Sequence, residues 1–222
     1  MSRRNAIPTV GALLGLIAAL GVGIPVAAFV EVGDAPDLPP GQTAPGTTID
    51  GTFASVADVD LYRIDVTDAA SFSAETSANA GVDTVLFLFD TDGFAIAGND
   101  DLSGGGIDDR YFSSLTGVAE LVNGTYLLSI SRWPYFPVSA GGQMYVINVP
   151  NEQLVPDQGV ARPDGPGGSQ MLTGWANAFG SDDPLQPSYS IALTGVPEPS
   201  GNAGCAVAFA SFAALGFARR SR

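Results

Sequence analysis

Apolar and polar residues alternate along several short stretches of the chain. In residues 58–66, Tyr62, Ile64 and Val66 fall on one face of a strand, with Arg63 and Asp65 on the other. Residues 71–76 repeat the pattern through Phe72, Ala74 and Thr76. The run 84–90, Thr-Val-Leu-Phe-Leu-Phe-Asp, is apolar on both faces, which predicts a central strand covered on both sides. Asp90-Thr91-Asp92-Gly93 reads as a turn, and residues 94–97 as the returning arm of a hairpin. Asn123-Gly124 marks a turn into a strand over 125–131, and residues 188–194 form a last strand. No stretch from 31 to 195 carries a helical period. Short strands with frequent turns predict an all-β domain, a β-sandwich or jelly roll, over residues 49–195.

The two ends of the chain differ in kind from this middle. Arg3 and Arg4 precede an apolar run over residues 10–30, the charged and apolar regions of an export signal. We expect a signal peptide over 1–28, cut by signal peptidase after Val26-Ala27-Ala28; the alternative is an uncleaved anchor. Residues 29–48, with their prolines and glycines, predict an extended linker. At the far end Pro197-Glu198-Pro199 precedes an uncharged apolar stretch over 203–218, followed by Arg219, Arg220 and Arg222. A helix of that length covers about 24 Å, enough for a temporary membrane stop. Arginines stay on the cytoplasmic side of a membrane, so both termini belong inside and the middle outside. The expected architecture is thus a β-sandwich flanked by an N-terminal signal helix and a C-terminal transmembrane sorting helix.

The order of motif, apolar helix and arginine cluster over residues 196–222 resembles the PEP-CTERM sorting signal of Gram-negative bacteria. The resemblance implies export, brief retention in the inner membrane, and processing near Pro197, Glu198 and Pro199 by an exosortase-type enzyme. Its destination would be the cell envelope or extracellular matrix.

Composition narrows the chemistry. The chain has 222 residues and a formal net charge of −14, with no histidine; it also lacks lysine, and its one cysteine is Cys205. There is thus no histidine-based triad, no histidine-ligated zinc, no Schiff-base or P-loop lysine, and no intrachain disulfide. All 23 acidic residues lie between Glu31 and Glu198, against Arg63, Arg110, Arg132 and Arg162. Such a surface repels nucleic acid and attracts cations.

Asp58-Val59-Asp60-Leu61-Tyr62, the run Asp83 to Gly93, Asn99-Asp100-Asp101, Gly124-Thr125-Tyr126 and the closing strand at Tyr189 to Leu193 occur in an order that resembles the bacterial pre-peptidase C-terminal domain. That family is a small β-sandwich appended to exported proteins, some of which bind calcium or matrix polymers. This chain departs from it by lacking a peptidase domain and by carrying an insert over residues 132–187.

Two candidate sites follow. Asp90, Asp92, Asn99, Asp100 and Asp101 cluster around one hairpin and offer the oxygens that calcium takes; the alternative is that they are turn formers. Trp133, Tyr135 and Trp175, all in the insert, could stack on sugar rings or grip an apolar partner, or else roof the core. No cofactor is required by these residues, and calcium is the one they could hold.

The expected function is that of an exported, non-catalytic β-sandwich protein with a structural or adhesive role. Its partners would be the exosortase-type enzyme, signal peptidase, and an exopolysaccharide or matrix protein, with membrane contact through the C-terminal helix before processing. The alternatives are a calcium-stabilised polysaccharide- or protein-binding module, and a glycosidase or lyase working through paired carboxylates.

Overall fold

The alternating segments pair into two five-stranded sheets in the computed structural model, which describes residues 28–76, 82–101, 111–148, 153–155, 159–177 and 188–198. The expected signal helix, the apolar stretch 203–218 and Pro199 lie outside the described residues. Among those described, no helix is long and apolar enough to cross a membrane, and helical structure is limited to 3-10 residues such as the turn Ala69–Ser71.

The first sheet consists of β1 (Phe29–Val30), β3 (Thr48–Thr52), β5 (Ser73–Thr76), β8 (Ser114–Thr116) and β15 (Ser188–Thr194). Their order across the sheet is β1-β3-β15-β5-β8. The second consists of β2 (Gln42–Thr43), β4 (Val59–Val66), β6 (Thr84–Phe89), β7 (Ala95–Asn99) and β9 (Gly124–Arg132), in the order β2-β4-β9-β6-β7. Ile49, Leu115, Ile191 and Leu193 from the first sheet share one core with Tyr62, Ile64, Leu86, Leu88, Leu128 and Ile130 from the second. The protein is therefore all-β and sandwich-like: each sheet hides one side of its alternation against the other.

Every residue of β6 is buried, as its two-sided apolar run requires. Leu86 and Leu88 face the first sheet, while Val85, Phe87 and Phe89 belong to a second core on the opposite face. The cover on that side comes from the insert. Its strands are β10 (Tyr135–Ser139), β11 (Gly142–Gln143), β12 (Ile147–Asn148), β13 (Gln153–Leu154) and β14 (Leu172–Asn177). β10 pairs with both β11 and β14, and β12 with β13. Phe136, Met144, Tyr145, Leu154 and Leu172 from this layer are buried against Leu61, Phe87 and Leu127 of the second sheet. The insert is thus a roof over a face that would otherwise expose phenylalanines to water.

Residues 29–48, expected as a linker, are extended but lie along the sandwich. Phe29 and Val30 pair in parallel with Ile49 and Asp50, and Gln42 and Thr43 in parallel with Tyr62 and Arg63. This strap therefore crosses from the edge of one sheet to the edge of the other. Ala35 and Ala44 are buried, and the Phe29 ring meets Tyr62 edge-on at 6.2 Å. Gln42 completes the seating: its side-chain amide exchanges two 3.0 Å hydrogen bonds with the backbone of Val32, tying the two ends of the strap together.

Candidate functional site

The five residues expected around one calcium ion fall at opposite ends of the β6–β7 hairpin. At the turn, Asp90 accepts hydrogen bonds through Oδ1 from the backbone N–H of Asp92 (3.0 Å) and Phe94 (2.9 Å), and Asp92 is exposed. Asp90 here works as a turn former. At the other end, Asn99 donates to the carbonyls of Asp101 and Gly159 and accepts from the N–H of Ser114, so its amide links hairpin, insert and first sheet. Asp100 and Asp101 are brought within 4.8 Å of Asp83, the residue just before β6. Each of these three residues engages another group of the fold.

A second carboxylate cluster forms where the strap crosses the sandwich. Glu31, Asp34 and Asp60 bring carboxylate oxygens within 4.8 Å of one another. Glu31 is placed by its own acceptors: Oε1 takes the N–H of Ala35 at 2.7 Å and Oε2 that of Thr52 at 2.8 Å. Asp60 comes from β4 and is fully buried. Its Oδ2 accepts from the Tyr189 hydroxyl at 2.6 Å, and Tyr189 is in turn hydrogen-bonded to the Tyr62 hydroxyl. Oδ1 of Asp60 is buried and accepts no hydrogen bond. A fully buried carboxyl beside two further carboxylates is costly when ionised, and either a retained proton or a hard cation relieves it.

The backbone is shaped to this arrangement. The Tyr189 ring fills the space where a side chain on Gly51 would stand, so only glycine at that position of β3 lets the hydroxyl reach Asp60. A shallow cavity of about 390 Å³ opens beside the cluster, lined by Val30, Glu31, Gly33, Thr52, Ser188 and Tyr189.

Electrostatics agree with the geometry. Burial pushes the Asp60 carboxyl up to about 9, the Tyr189 hydrogen bond opposes the rise, and the charges of Glu31 and Asp58 and a hydrogen bond from the protonated acid to Glu31 add to it. Burial also raises Asp58, with Asp34 and Asp37 contributing, while its hydrogen bond from Ala54 opposes the rise. Asp37 is raised by burial and by Asp34. The strap thus lies in a field of like charge that either protons or a cation must relieve. All the donors are oxygens, which suits calcium better than a soft metal.

The sequence held a signal for this site that the hairpin reading passed over. Alternation along β4 puts Asp60 on the same face as Tyr62, Ile64 and Val66, which is the core face. A carboxylate on the buried side of a strand needs a partner. The partners themselves, Glu31 and Asp34, lay in a segment read as linker.

Of the aromatic candidates, Trp133, Tyr135 and Trp175 are all half-buried. Trp133 and Trp175 both pack on the core beneath the roof. The Trp175 ring lies 5.9 Å from Phe87 and 6.1 Å from Phe89, and its Nε1–H donates to the carbonyl of Asp37 on the strap at 2.8 Å. Tyr135 sits across from Asn177, two positions along β10 from Pro137, the partner of Trp175.

Pro197 and Glu198 of the sorting motif are exposed. The chain leaves the sandwich at Gly195, whose carbonyl accepts from the N–H groups of Thr67 (2.8 Å) and Asp68 (3.0 Å). Its φ of 70° is one that glycine adopts freely, so the exit is fixed two residues before the motif.

Comparison of the chain with protein-family models, with curated proteins and with solved structures found no match. The class that can be stated is the one the fold defines: an all-β protein of two facing sheets under a third, smaller layer.

Proposed function

We infer that the chain is an exported, non-catalytic β-sandwich protein of the cell envelope or extracellular matrix, in which a divalent cation, calcium by its chemistry, staples the N-terminal strap to the sandwich. The observation that carries this reading is the meeting of Glu31 and Asp34 on the strap with the buried Asp60, whose Oδ1 lacks a donor. Export is supported by the signal-like run 10–30 and by the tail over 196–222, which resembles a PEP-CTERM signal and would make the chain an exosortase substrate. Outside the cell calcium is plentiful, and a site built from strap and sheet would hold the fold closed there. A non-catalytic role is supported by a composition without histidine or lysine. The roof aromatics would serve a structural or adhesive role against exopolysaccharide or matrix protein.

The test uses the full chain, kept in detergent micelles for its apolar ends. An ion at a hundredfold excess over its dissociation constant adds about 2.7 kcal/mol, or roughly 5–10 °C in Tm for a domain of this size. Tm should rise by that much from chelator to calcium, and less in magnesium, which dehydrates reluctantly. Asp60→Asn keeps an acceptor for Tyr189 and resembles the protonated acid, so it should fold and lose the rise. Equal Tm values in calcium and chelator for the unaltered chain would overturn the reading.

A further inference from the structure

The acidic cluster and the aromatic roof are three residues apart along the strap. Asp34 belongs to the cluster, and Asp37 gives its carbonyl to Nε1–H of Trp175. Between them the carbonyl of Pro36 accepts the N–H of Leu61 on β4 at 3.2 Å, and Ala35 is buried. This stretch has little slack: a shift of Asp34 away from Asp60 is passed to the group that holds Trp175.

We propose that the cation site regulates the aromatic roof: an ion at Glu31, Asp34 and Asp60 seats the strap, and the seated strap clamps Trp175 through the carbonyl of Asp37. This rests on the cation reading above and deepens it. The site has more than clustered acids in its favour, because Oδ1 of the fully buried Asp60 accepts no hydrogen bond. Without the ion, Glu31 and Asp34 on the strap lose their bridge to Asp60 on the sheet. The strap then lifts, the indole loses its acceptor, and the half-buried ring becomes accessible to water. With the ion, Trp175 is held against Phe87 and Phe89. Coupling of this kind is reciprocal, so what loosens Trp175 must weaken the ion by the same factor.

The chain contains two tryptophans, so Trp133→Phe leaves Trp175 as the sole indole emitter. In the full chain carrying that change, calcium binding is measured by calorimetry, and Trp175 exposure by acrylamide quenching in calcium and in chelator. We expect quenching to rise severalfold when calcium is removed, and Asp60→Asn in the same background to quench alike in both conditions. Trp175→Phe in the otherwise unaltered chain, which removes the indole donor and touches no carboxylate, should weaken calcium binding about fivefold or more. Calcium heat with unchanged Trp175 quenching, or unchanged affinity in Trp175→Phe, overturns the coupling and leaves the cation site standing. No calcium heat at all overturns both.

Discussion

Phe87→Ala should be the most damaging single change in the second core. The ring is fully buried on β6 and touches four other aromatic rings. Its centroid lies 5.0 Å from Tyr145, 5.9 Å from Trp175, 6.3 Å from Phe136 and 6.4 Å from Phe89. Two of these neighbours, Tyr145 and Phe136, and the Trp175 indole come from the insert, so the substitution empties the joint between roof and sheet. Removing a buried phenylalanine costs about 3–5 kcal/mol, because cavity formation adds to lost transfer energy. Urea unfolding of the full chain should show that loss, while Thr116→Ala on the exposed side of β8 should stay within about 0.5 kcal/mol. A cost for Phe87→Ala below about 1 kcal/mol would mean the insert does not cover this face.

The second large effect concerns maturation. Alanine in place of Pro197, Glu198 and Pro199 should leave export and Tm unchanged and stop processing, so that a membrane-bound precursor accumulates and mature product falls to background. Pro197 and Glu198 are exposed and the chain is anchored earlier, at Gly195, so the domain should fold without these two side chains. Fractionation followed by mass measurement of the C-terminus reads the outcome. Wild-type release of the altered protein would reduce the tail to a plain anchor.

How much of this could be read from the chain differs by element. β4, β6, β9 and β15 announce themselves by strict alternation or an unbroken apolar run, because their side chains meet a sheet directly. β6 even told that a second cover was needed, and the insert supplies it. β3 was silent: Thr48–Thr52 has one large apolar residue, and Gly51 is there to admit the Tyr189 ring. The strap was silent for another reason. Its strands are two residues long, and its seating depends on side-chain acceptors such as Glu31 and Gln42, which alternation cannot express. Of the candidate sites, the hairpin acids stand close together in sequence, but the hairpin sets them at its opposite ends. The strap cluster joins residues far apart in sequence, and only the misplaced polarity of Asp60 pointed to it.

The cation at the strap is the central claim, and its titration at controlled pH tests it most directly. In the ion-free state Asp60 holds a proton up to about pH 9, whereas in the unfolded chain it ionises near 4. This raised carboxyl contributes stability that is whole below about pH 4 and is lost as pH rises through 9, so the ion-free chain weakens toward alkaline pH. A cation must expel that proton, so its affinity should climb by about tenfold per pH unit below 9. Calorimetry of calcium into the chelator-stripped full chain, run at pH 6, 7 and 8 in buffers of different ionisation enthalpy, reads affinity and proton release together. The account predicts saturable binding, about one proton released per ion, tighter binding at each higher pH, and no binding in Asp60→Asn. No saturable heat at any of the three, or heat retained in full by Asp60→Asn, would contradict it.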